Sequence, residues 1–269
     1  MPDTAAATEL TALGPVGAAL SVADADRLTA FYSYPESYPD TAPGDPRGCW
    51  VRANMITSLD GTATADGRSG GLGGAGDRAL FALLRAAADV ILVGAATVRT
   101  ENYSGAQPTA AQRQARTSRG QAEVPPIAVV TRSGDLDPGS RLFTRTTVPP
   151  LIFTAASGAA TVRRRLGSAA EVLDASGANP DSVDPAVVLR ILSERGLWRV
   201  LAEGGPTLLS QMLAAGLLDE LCLTVAPVLV GGTGPRIVDG PHRVHQRMRR
   251  THVLADDDGY LYTRYVKGD

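Results

Sequence analysis

The chain has 269 residues, of which 44% are hydrophobic and 20% charged, so it is long enough to bury a sizeable core. A net charge of -2 and an aromatic content of 5% exclude the basic surfaces and stacking platforms typical of nucleic-acid binding. The two cysteines, Cys49 and Cys222, form no CxxC pair, which indicates a reducing compartment without a disulfide framework. The histidines near the C-terminus lack the further ligands that a zinc site requires, so we predict no metal site.

The sequence carries no signal for a membrane or for secretion. No apolar run approaches the ~20 residues that cross a bilayer. The N-terminal sequence MPDTAAATEL has neither the basic start nor the apolar stretch of a secretion signal. We therefore expect a cytoplasmic protein that binds neither membranes nor nucleic acids.

Residues 1–47 differ in composition from the rest of the chain. They are rich in alanine, proline, aspartate and tyrosine, and their prolines block any long helix or central strand. We interpret them as an N-terminal arm, with a short helix around 23–32, that packs on the domain without carrying its chemistry. Residues 48–269 are predicted to form that domain.

From Trp50 onwards, apolar runs alternate with amphipathic segments. The predicted strands are WVRANMI, ADVILVG, PPIAVVT, PPLIFT, AEVLDA, RVLAEG, DELCLTVAPVLV and the hairpin pair THVLAD and YLYTRYV. Helices are predicted over 77–88 and over 206–215, and another helix is predicted to begin directly after Asp184, which is its N-cap. This alternation predicts an α/β fold with a mostly parallel sheet and a C-terminal antiparallel hairpin. The polar, basic stretch 108–123 interrupts the rhythm, and we predict a long mobile loop there.

The strongest local feature is the segment LAEGGPTLL, residues 201–209. A strand ends at Glu203, two glycines follow, and a helix begins at Pro206. The unpaired N–H groups and partial positive charge of a helix start suit a pyrophosphate. Such a turn is structural about as often as it binds a phosphate, so the segment by itself leaves both interpretations open.

Two further predicted strands end in polar residues. Thr97, after the strand ADVILVG, can cap the next helix or contact a phosphate. Arg132, after the strand PPIAVVT, can hold the 2′-phosphate that distinguishes NADPH from NADH, or lie free on the surface. Three polar strand ends in one α/β chain favour ligand binding at the carboxyl edge of the sheet.

Four motifs occur in a fixed order along the chain. They are N-x-x-x-S-L-D-G at 54–61, D-G-x-S at 66–69, V-G-x-x-T-V at 93–98 and E-G-G-P-T-L at 203–208. Through them the chain resembles the dihydrofolate-reductase-like superfamily over about residues 50–266, and within it the pyrimidine reductases of riboflavin biosynthesis. The resemblance implies a three-layer fold of that type, NADPH as the cofactor and a homodimer. It also implies reduction of the ribose of 5-amino-6-(5-phosphoribosylamino)uracil to a ribityl chain by hydride transfer.

The resemblance also implies individual site residues. The implied cofactor contacts are Ile56, Thr97, Glu101, Thr131, Arg132, Gly204, Gly205, Pro206, Thr207 and Leu208. The implied substrate contacts are Asn54, Ser69, Arg85 and Glu203. Asn54 and Glu203 offer hydrogen bonds to a pyrimidine or ribose, Arg85 a charge for a phosphate, and Ser69 a small donor. Without the resemblance, Asn54 is a satisfied strand amide and Arg85 a helix-surface charge.

The chain departs from the family pattern at several positions. Bacterial bifunctional members usually have a lysine where this chain has Asn54. Where those members have Asp-Asp-Pro after the second strand-to-helix turn, this chain has Glu101-Asn102-Tyr103. The arginine that holds the substrate phosphate in those members would be expected near Pro108, where this chain has none. Candidate replacements are the arginines of the predicted loop, Arg113, Arg116 and Arg119. The deaminase motifs H-x-E and P-C-x-x-C do not occur in the sequence.

A dihydrofolate reductase activity on the same scaffold remains open. In dihydrofolate reductases a carboxylate on the first active-site helix hydrogen-bonds the pterin, and a phenylalanine one turn later stacks on it. Asp77 and Phe81 have this spacing, although the helix dipole alone also favours an acidic residue in a first turn. In either reaction the nicotinamide supplies the hydride and the protein orients the reactants. We predict Asp77 and Glu203 as the catalytic carboxylates.

A non-catalytic module that binds NADPH or another ligand is the third interpretation, since a fold does not guarantee chemistry. The altered segment 101–103 favours it. The complete cofactor turn at 203–208 argues against it, because a purely structural role does not require those residues.

Overall fold

The protein forms a twisted α/β sheet flanked by helices. The structure, a computed structural model, describes residues 9–12, 19–21, 25–36, 48–241 and 243–268. The strands are β1 Glu9–Ala12, β2 Ala19–Ser21, β3 Trp50–Thr57, β4 Val90–Gly94, β5 Ile127–Val130, β6 Leu151–Thr154, β7 Glu171–Asp174, β8 Arg199–Ala202, β9 Glu220–Val225, β10 Met248–Ala255 and β11 Leu261–Lys267. The helices are α1 Ala25–Phe31, α2 Ala75–Ala87, α3 Ala95–Thr100, α4 Ala110–Ser118, α5 Arg141–Thr144, α6 Ala156–Leu166, α7 Pro185–Glu194 and α8 Pro206–Ala214.

The strands lie in the order β2-β1-β10-β11-β9-β3-β8-β4-β5-β6-β7. From β9 to β7 all neighbours are parallel. From β9 to β2 all neighbours are antiparallel, and this part of the sheet includes the β10–β11 hairpin. The predicted mixed, mostly parallel sheet with a C-terminal hairpin is therefore confirmed. Because β3, β8 and β4 are parallel, their carboxyl ends lie at the same edge of the sheet. The helices that follow β4 and β8 begin at this edge.

Helices cover both faces of the sheet, as expected for three layers. Alternate residues of a strand point to opposite faces. On one face, Ile91 of β4 belongs to the same buried cluster as Leu84 of α2. On the other, Leu92 of β4 clusters with Leu189 of α7 and Met212 of α8. No helix of the described residues is long and apolar enough to cross a membrane.

The described part of the N-terminal arm packs into the main core. The short helix predicted around 23–32 is α1, and Leu28 and Tyr32 are almost completely buried in the core cluster under α2. Arg264 of β11 donates hydrogen bonds to the backbone oxygens of Phe31, at 2.6 Å, and Ser33, at 3.1 Å. The domain boundary at residue 47 stays a prediction.

Two predictions from the sequence are wrong. The strand predicted over 219–230 ends at Val225, because Pro227 lacks the N–H that a ladder needs and the chain leaves the sheet there. The segment 108–123 is not a long loop, since it contains α4. This helix begins with a capping box, in which the Thr109 hydroxyl accepts from the Gln112 N–H and the Gln112 side chain accepts from the Thr109 N–H.

Arg116 of α4 is completely buried, and its position excludes it as a phosphate ligand. Its guanidinium donates to the backbone oxygens of Ala86, at 3.0 Å, and Ala88 at the C-terminal end of α2, and of Ala122, at 2.7 Å. Arg119 donates to the oxygen of Ala86 as well. These arginines satisfy carbonyls that a helix end leaves without partners.

Replacement of Arg116 by alanine is expected to lower the free energy of unfolding by about 2–3 kcal/mol, because it leaves buried carbonyls unpaired. Urea denaturation measures the change. Arg113→Ala is the matched control, since this half-exposed arginine contacts the oxygen of Pro108 and Glu123 only at the surface. Its effect is expected to stay within about 0.5 kcal/mol. Equal losses in both variants would contradict the structural role of Arg116.

Candidate active site

A cavity of about 520 Å³ lies between α2 and the carboxyl edge of the sheet. It is bounded by the end of β3, by α2 and α3, and by the turn from β8 to α8. The structure brings the following predicted residues to its wall: Asn54, Ile56, Ser69, Asp77, Phe81, Arg85, Thr97, Glu101, Glu203, Gly205 and Pro206. Its lining does not include Thr131, Arg132, Gly204, Thr207 or Leu208.

The helical spacing of α2 and two neighbouring strands bring the substrate residues together. Asp77, Phe81 and Arg85 lie four residues apart along α2, so they share one helical face. Asn54 on β3 and Glu203 after β8 reach the same cavity from the sheet. The cavity is therefore formed where one face of α2 meets polar residues of β3 and of the turn after β8.

A bidentate ion pair joins α2 to the sheet inside the cavity. The buried Glu203 carboxylate accepts hydrogen bonds from Arg85 Nε and Nη2, each at 2.6 Å, and from the Tyr103 hydroxyl at 2.7 Å. The Arg85 guanidinium also lies over the Phe81 ring, 4.2 Å from its centroid. Burial disfavours the charge on Arg85, but Glu203 outweighs burial and holds the Arg85 pKa above its ordinary value.

This ion pair changes the expected role of Arg85. Its charge is already compensated by Glu203, so a substrate phosphate would compete with a carboxylate that is held by two short hydrogen bonds. Sequence reasoning treated Tyr103 only as a departure from the family pattern. Burial and the neighbouring Glu203 charge raise the Tyr103 pKa, which keeps its hydroxyl protonated as a donor. The phosphate role of Arg85 stays a prediction.

Asp77 lies in the first turn of α2 and faces the cavity. The side chain of Thr224 on β9 lies near its carboxylate and favours the charged form. Burial raises the pKa of Asp77 above its ordinary value of 3.8, against the opposing effects of Thr224 and Arg78. A Cβ at Gly76 would overlap the Tyr262 hydroxyl, so this glycine lets the first turn of α2 lie directly on the hairpin.

Ser69 and Glu101 hold each other at the cavity wall. Glu101 Oε1 accepts from the Ser69 backbone N–H at 2.7 Å and from its hydroxyl at 2.9 Å. This contact ties the D-G-x-S loop to the end of α3. Within the loop, Asp66 and Gly67 adopt left-handed φ angles of 50° and 76°. Ser69 and Glu101, predicted separately as substrate and cofactor contacts, are therefore one structural unit.

Asp60 of the first motif orders a neighbouring loop. Its carboxylate accepts from the Ser58 hydroxyl and from the backbone N–H groups of Gly231, at 2.7 Å, and Val230, at 3.2 Å. The Ser58 hydrogen bond and these two N–H groups lower the pKa of Asp60 to about 2. The motif thus fixes the chain that follows β9 beside the end of β3.

The turn after β8 packs directly against the turn after β4. The Gly204–Gly205 peptide is cis, and the Gly94 N–H donates to the Gly204 oxygen at 2.9 Å. A Cβ at Gly205 would lie 2.6 Å from the Thr97 hydroxyl oxygen. Gly205 is the N-cap of α8 and Pro206 its first residue. The next two N–H groups, of Thr207 and Leu208, precede the first intrahelical donor, the Leu209 N–H, so they have no acceptor within the helix and can bind an anion.

Thr131 and Arg132 follow β5 at the same edge of the sheet but outside the cavity. The buried Thr131 hydroxyl accepts from the Gly134 N–H at 3.0 Å, which closes the turn after β5. Arg132 is exposed. Their cofactor roles stay predictions.

The geometry agrees with a match to a known family. Residues 49–262 match the model described as the RibD C-terminal domain. The chain belongs to this family. The predicted membership of the riboflavin-pathway reductases is therefore confirmed, and the chain is an oxidoreductase.

Individual relatives support this assignment. The chain is 30% identical to the 2,5-diamino-6-ribosylamino-4(3H)-pyrimidinone 5′-phosphate reductase of Methanothermobacter thermautotrophicus, over 81% of this chain and 99% of that protein. A pyrimidine reductase-like protein of Corynebacterium diphtheriae superposes with a TM-score of 0.76 at 26% identity, covering 90% of this chain and 99% of the other. The deaminase/5-amino-6-(5-phosphoribosylamino)uracil reductase of Thermotoga maritima shares the fold, with a TM-score of 0.63 at 19% identity over 82% of this chain and 57% of that chain.

Asp77→Asn is expected to stabilise the ligand-free protein at neutral pH. Because burial raises the pKa of Asp77 above 3.8, the folded protein binds this proton more tightly than the unfolded chain does. The free energy of unfolding therefore falls as the pH rises from 3.8 through the folded pKa, and a neutral asparagine escapes this loss.

Chemical denaturation of both proteins across a series of pH values measures the difference. The advantage of the variant is expected to vanish as the pH falls to 3.8. An advantage that does not change with pH, or a variant less stable at neutral pH, would show that Asp77 is not held in a charge-disfavouring site.

Proposed function

We propose that this reductase reduces the ribose of a 6-ribosylaminopyrimidine 5′-phosphate to a ribityl chain by hydride transfer from NADPH. The observation that carries the proposal is the cavity in which the start of α8 meets the polar face of α2. The ring of the substrate is that of 5-amino-6-(5-phosphoribosylamino)uracil or of its 2,5-diamino-4-pyrimidinone counterpart. Both compounds have the same ribosylamino group, and this group contains the carbon that is reduced.

The start of α8 supports the cofactor half of the proposal. The N–H groups of Thr207 and Leu208, which have no acceptor within the helix, would hold the pyrophosphate, with the helix dipole adding positive potential. Gly205 lets a ligand approach the backbone closely, and Thr97 lies beside it. The bound cofactor supplies the hydride, while the protein sets its distance from the substrate.

The remaining cavity residues orient the substrate and manage protons. Asn54 and Asp77 provide hydrogen-bonding groups for the ring, and Ser69 lies at the wall for the ribose or phosphate. Glu203 accepts three hydrogen bonds and so fixes Arg85 and Tyr103, and its catalytic role stays a prediction. Asp77, whose pKa is raised by burial, is then the cavity carboxyl suited to proton exchange.

A pterin is the second candidate substrate. Asp77 lines the cavity from the first turn of α2, and Phe81 lies one helical turn further along the same face. This arrangement offers a carboxylate for the ring edge and an aromatic face for the ring itself. It favours dihydrofolate reductase activity as an alternative on the same residues.

We further propose that the protein is a cytoplasmic homodimer that binds no nucleic acid. The support is the family resemblance together with the small net charge of -2. Light scattering during size-exclusion chromatography measures the mass in solution. A mass near that of one chain, 27.9 kDa, would contradict the dimer.

NADPH binding and turnover test the function directly. Fluorescence titration is expected to show saturable NADPH binding, and absorbance is expected to show NADPH oxidation with a ribosylaminopyrimidine phosphate. Turnover of dihydrofolate alone would replace the pyrimidine substrate with a pterin. Saturable binding without turnover of any of these substrates would make the chain a ligand-binding module.

Gly205→Ala is expected to weaken NADPH binding about tenfold, because the added methyl overlaps the Thr97 hydroxyl and displaces the start of α8. Gly158→Ala is the matched control, since its Cβ would make only ordinary contacts outside the cavity. The control is expected to bind NADPH as the wild type does. Unchanged affinity in Gly205→Ala would place the cofactor elsewhere.

A further inference from the structure

The arginines that the sequence suggested for the substrate phosphate are engaged elsewhere. Arg85 is held by Glu203 through two hydrogen bonds of 2.6 Å, which compensate its charge. Arg113, Arg116 and Arg119 do not line the cavity. A phosphomonoester dianion that binds in the cavity therefore needs another cation, because a phosphate is recognised most strongly by charged donors.

Arg78 supplies an uncompensated positive charge at the cavity wall. It follows Asp77 on α2, lines the cavity and is exposed. Its guanidinium donates one hydrogen bond, from Nη1 to the Gly73 oxygen at 3.2 Å, and among the described residues it forms no ion pair. Its charge opposes the rise in the Asp77 pKa without a direct contact between the two side chains. The remaining N–H groups form a planar fork that matches two phosphate oxygens.

Ser69, which also lies at the cavity wall, has its donors in use. Its backbone N–H and its hydroxyl both donate to Glu101 Oε1, at 2.7 and 2.9 Å. No cation of the described part of the chain pairs with Glu101, so an anion beside Ser69 meets an uncompensated carboxylate. The Ser69 hydroxyl oxygen can still accept from a ribose hydroxyl. Arg78 is therefore the favourable point for the phosphate.

The surroundings of Arg78 also suit a doubly charged group. A dianion loses much hydration free energy when it is buried, and less at an exposed position. Arg78 is exposed, whereas the Arg85 side chain is only 20% exposed and its partner Glu203 is buried. A Cβ at Gly70, on the same cavity wall, would meet no atom closer than 3.9 Å, so this wall has open space. A phosphate at Arg78 keeps part of its water while the uncharged ring enters the cavity.

We propose that Arg78, and not Arg85, binds the 5′-phosphate of the ribosylaminopyrimidine substrate at the mouth of the cavity. This inference rests on the proposed function and adds to it the residue that recognises the phosphate. Arg85 then serves to hold Glu203 and the position of α2. The chain has no arginine near Pro108, where the family pattern places a phosphate ligand, and Arg78 takes over that role from a different element.

The test compares kcat/KM for the ribosylaminopyrimidine 5′-phosphate and its dephosphorylated counterpart in the wild type and in variants of Arg78. The wild type is expected to prefer the phosphate by about 30-fold or more. Arg78→Gln is expected to reduce this preference to about threefold, mainly through KM, because the charged hydrogen bonds to the phosphate are lost. Its effect on the dephosphorylated compound is expected to be much smaller. Arg78→Lys keeps the charge without the fork and is expected to recover part of the preference.

Arg190→Gln is the matched control, because it removes the same charge from an exposed position on α7, outside the cavity. It is expected to keep the wild-type ratio. A wild type that reduces both compounds equally well, or an Arg78→Gln variant that keeps the wild-type ratio, overturns the proposal. Equal losses in Arg78→Gln and Arg190→Gln overturn it as well, since net charge then explains the effect.

If the wild type reduces neither compound, the proposed function fails, and direct binding decides the role of Arg78. Isothermal titration with ribose 5-phosphate is expected to show at least about tenfold weaker binding to Arg78→Gln than to the wild type and to Arg190→Gln. Titration with ribose is expected to show no such difference. Equal affinity of the wild type and Arg78→Gln for ribose 5-phosphate, or no saturable binding to the wild type, refutes a phosphate site at Arg78.

Discussion

The ion pair between Arg85 and Glu203 fixes helix α2 above the carboxyl edge of the sheet. Glu203 is buried, and a buried carboxylate without donors costs several kcal/mol, so the fold needs the Arg85 guanidinium at this point. Once Arg85 is placed, helical geometry directs Phe81 and Asp77 into the same cavity. Tyr103 completes the donor set of Glu203 and closes the cavity from the side of α3. One electrostatic constraint thus determines where the substrate face of the helix lies.

The end of β8 serves both halves of the candidate site. Glu203 anchors the substrate helix, and Gly205, two residues later, is the N-cap of the helix whose first N–H groups are suited to a pyrophosphate. Because these residues are so close in sequence, neither half can move far without the other. The contact between Gly205 and Thr97 adds the turn after β4 to this unit. A cofactor and a substrate ring bound at the two halves would therefore lie next to each other.

The sequence predicted the features that depend on local patterns. Strand and helix alternation and the Asp184 N-cap follow from residue periodicity and turn chemistry, and the structure has them at nearly the predicted bounds. The four ordered motifs, and the site residues implied by them, came from the family resemblance instead. Helix α4 was missed because its surface is polar on almost all sides, although its Thr109 capping box was visible. The partner of Glu203 could not be read from the sequence, since Arg85 lies 118 residues away and their contact depends on the tertiary fold. For the same reason, residues after neighbouring strands did not all reach the cavity, as Thr131 shows.

A crystal structure of the protein with NADP⁺ and a 6-ribosylaminopyrimidine 5′-phosphate bound tests the link between this geometry and the reaction most directly. The pyrophosphate is expected within hydrogen-bond distance of the Thr207 and Leu208 N–H groups. The pyrimidine ring is expected to contact Asp77, with the nicotinamide beside the ribosyl carbon of the substrate and the Arg85–Glu203 pair intact. A dinucleotide bound away from the start of α8, or a ring that leaves Asp77 without a contact, would contradict it.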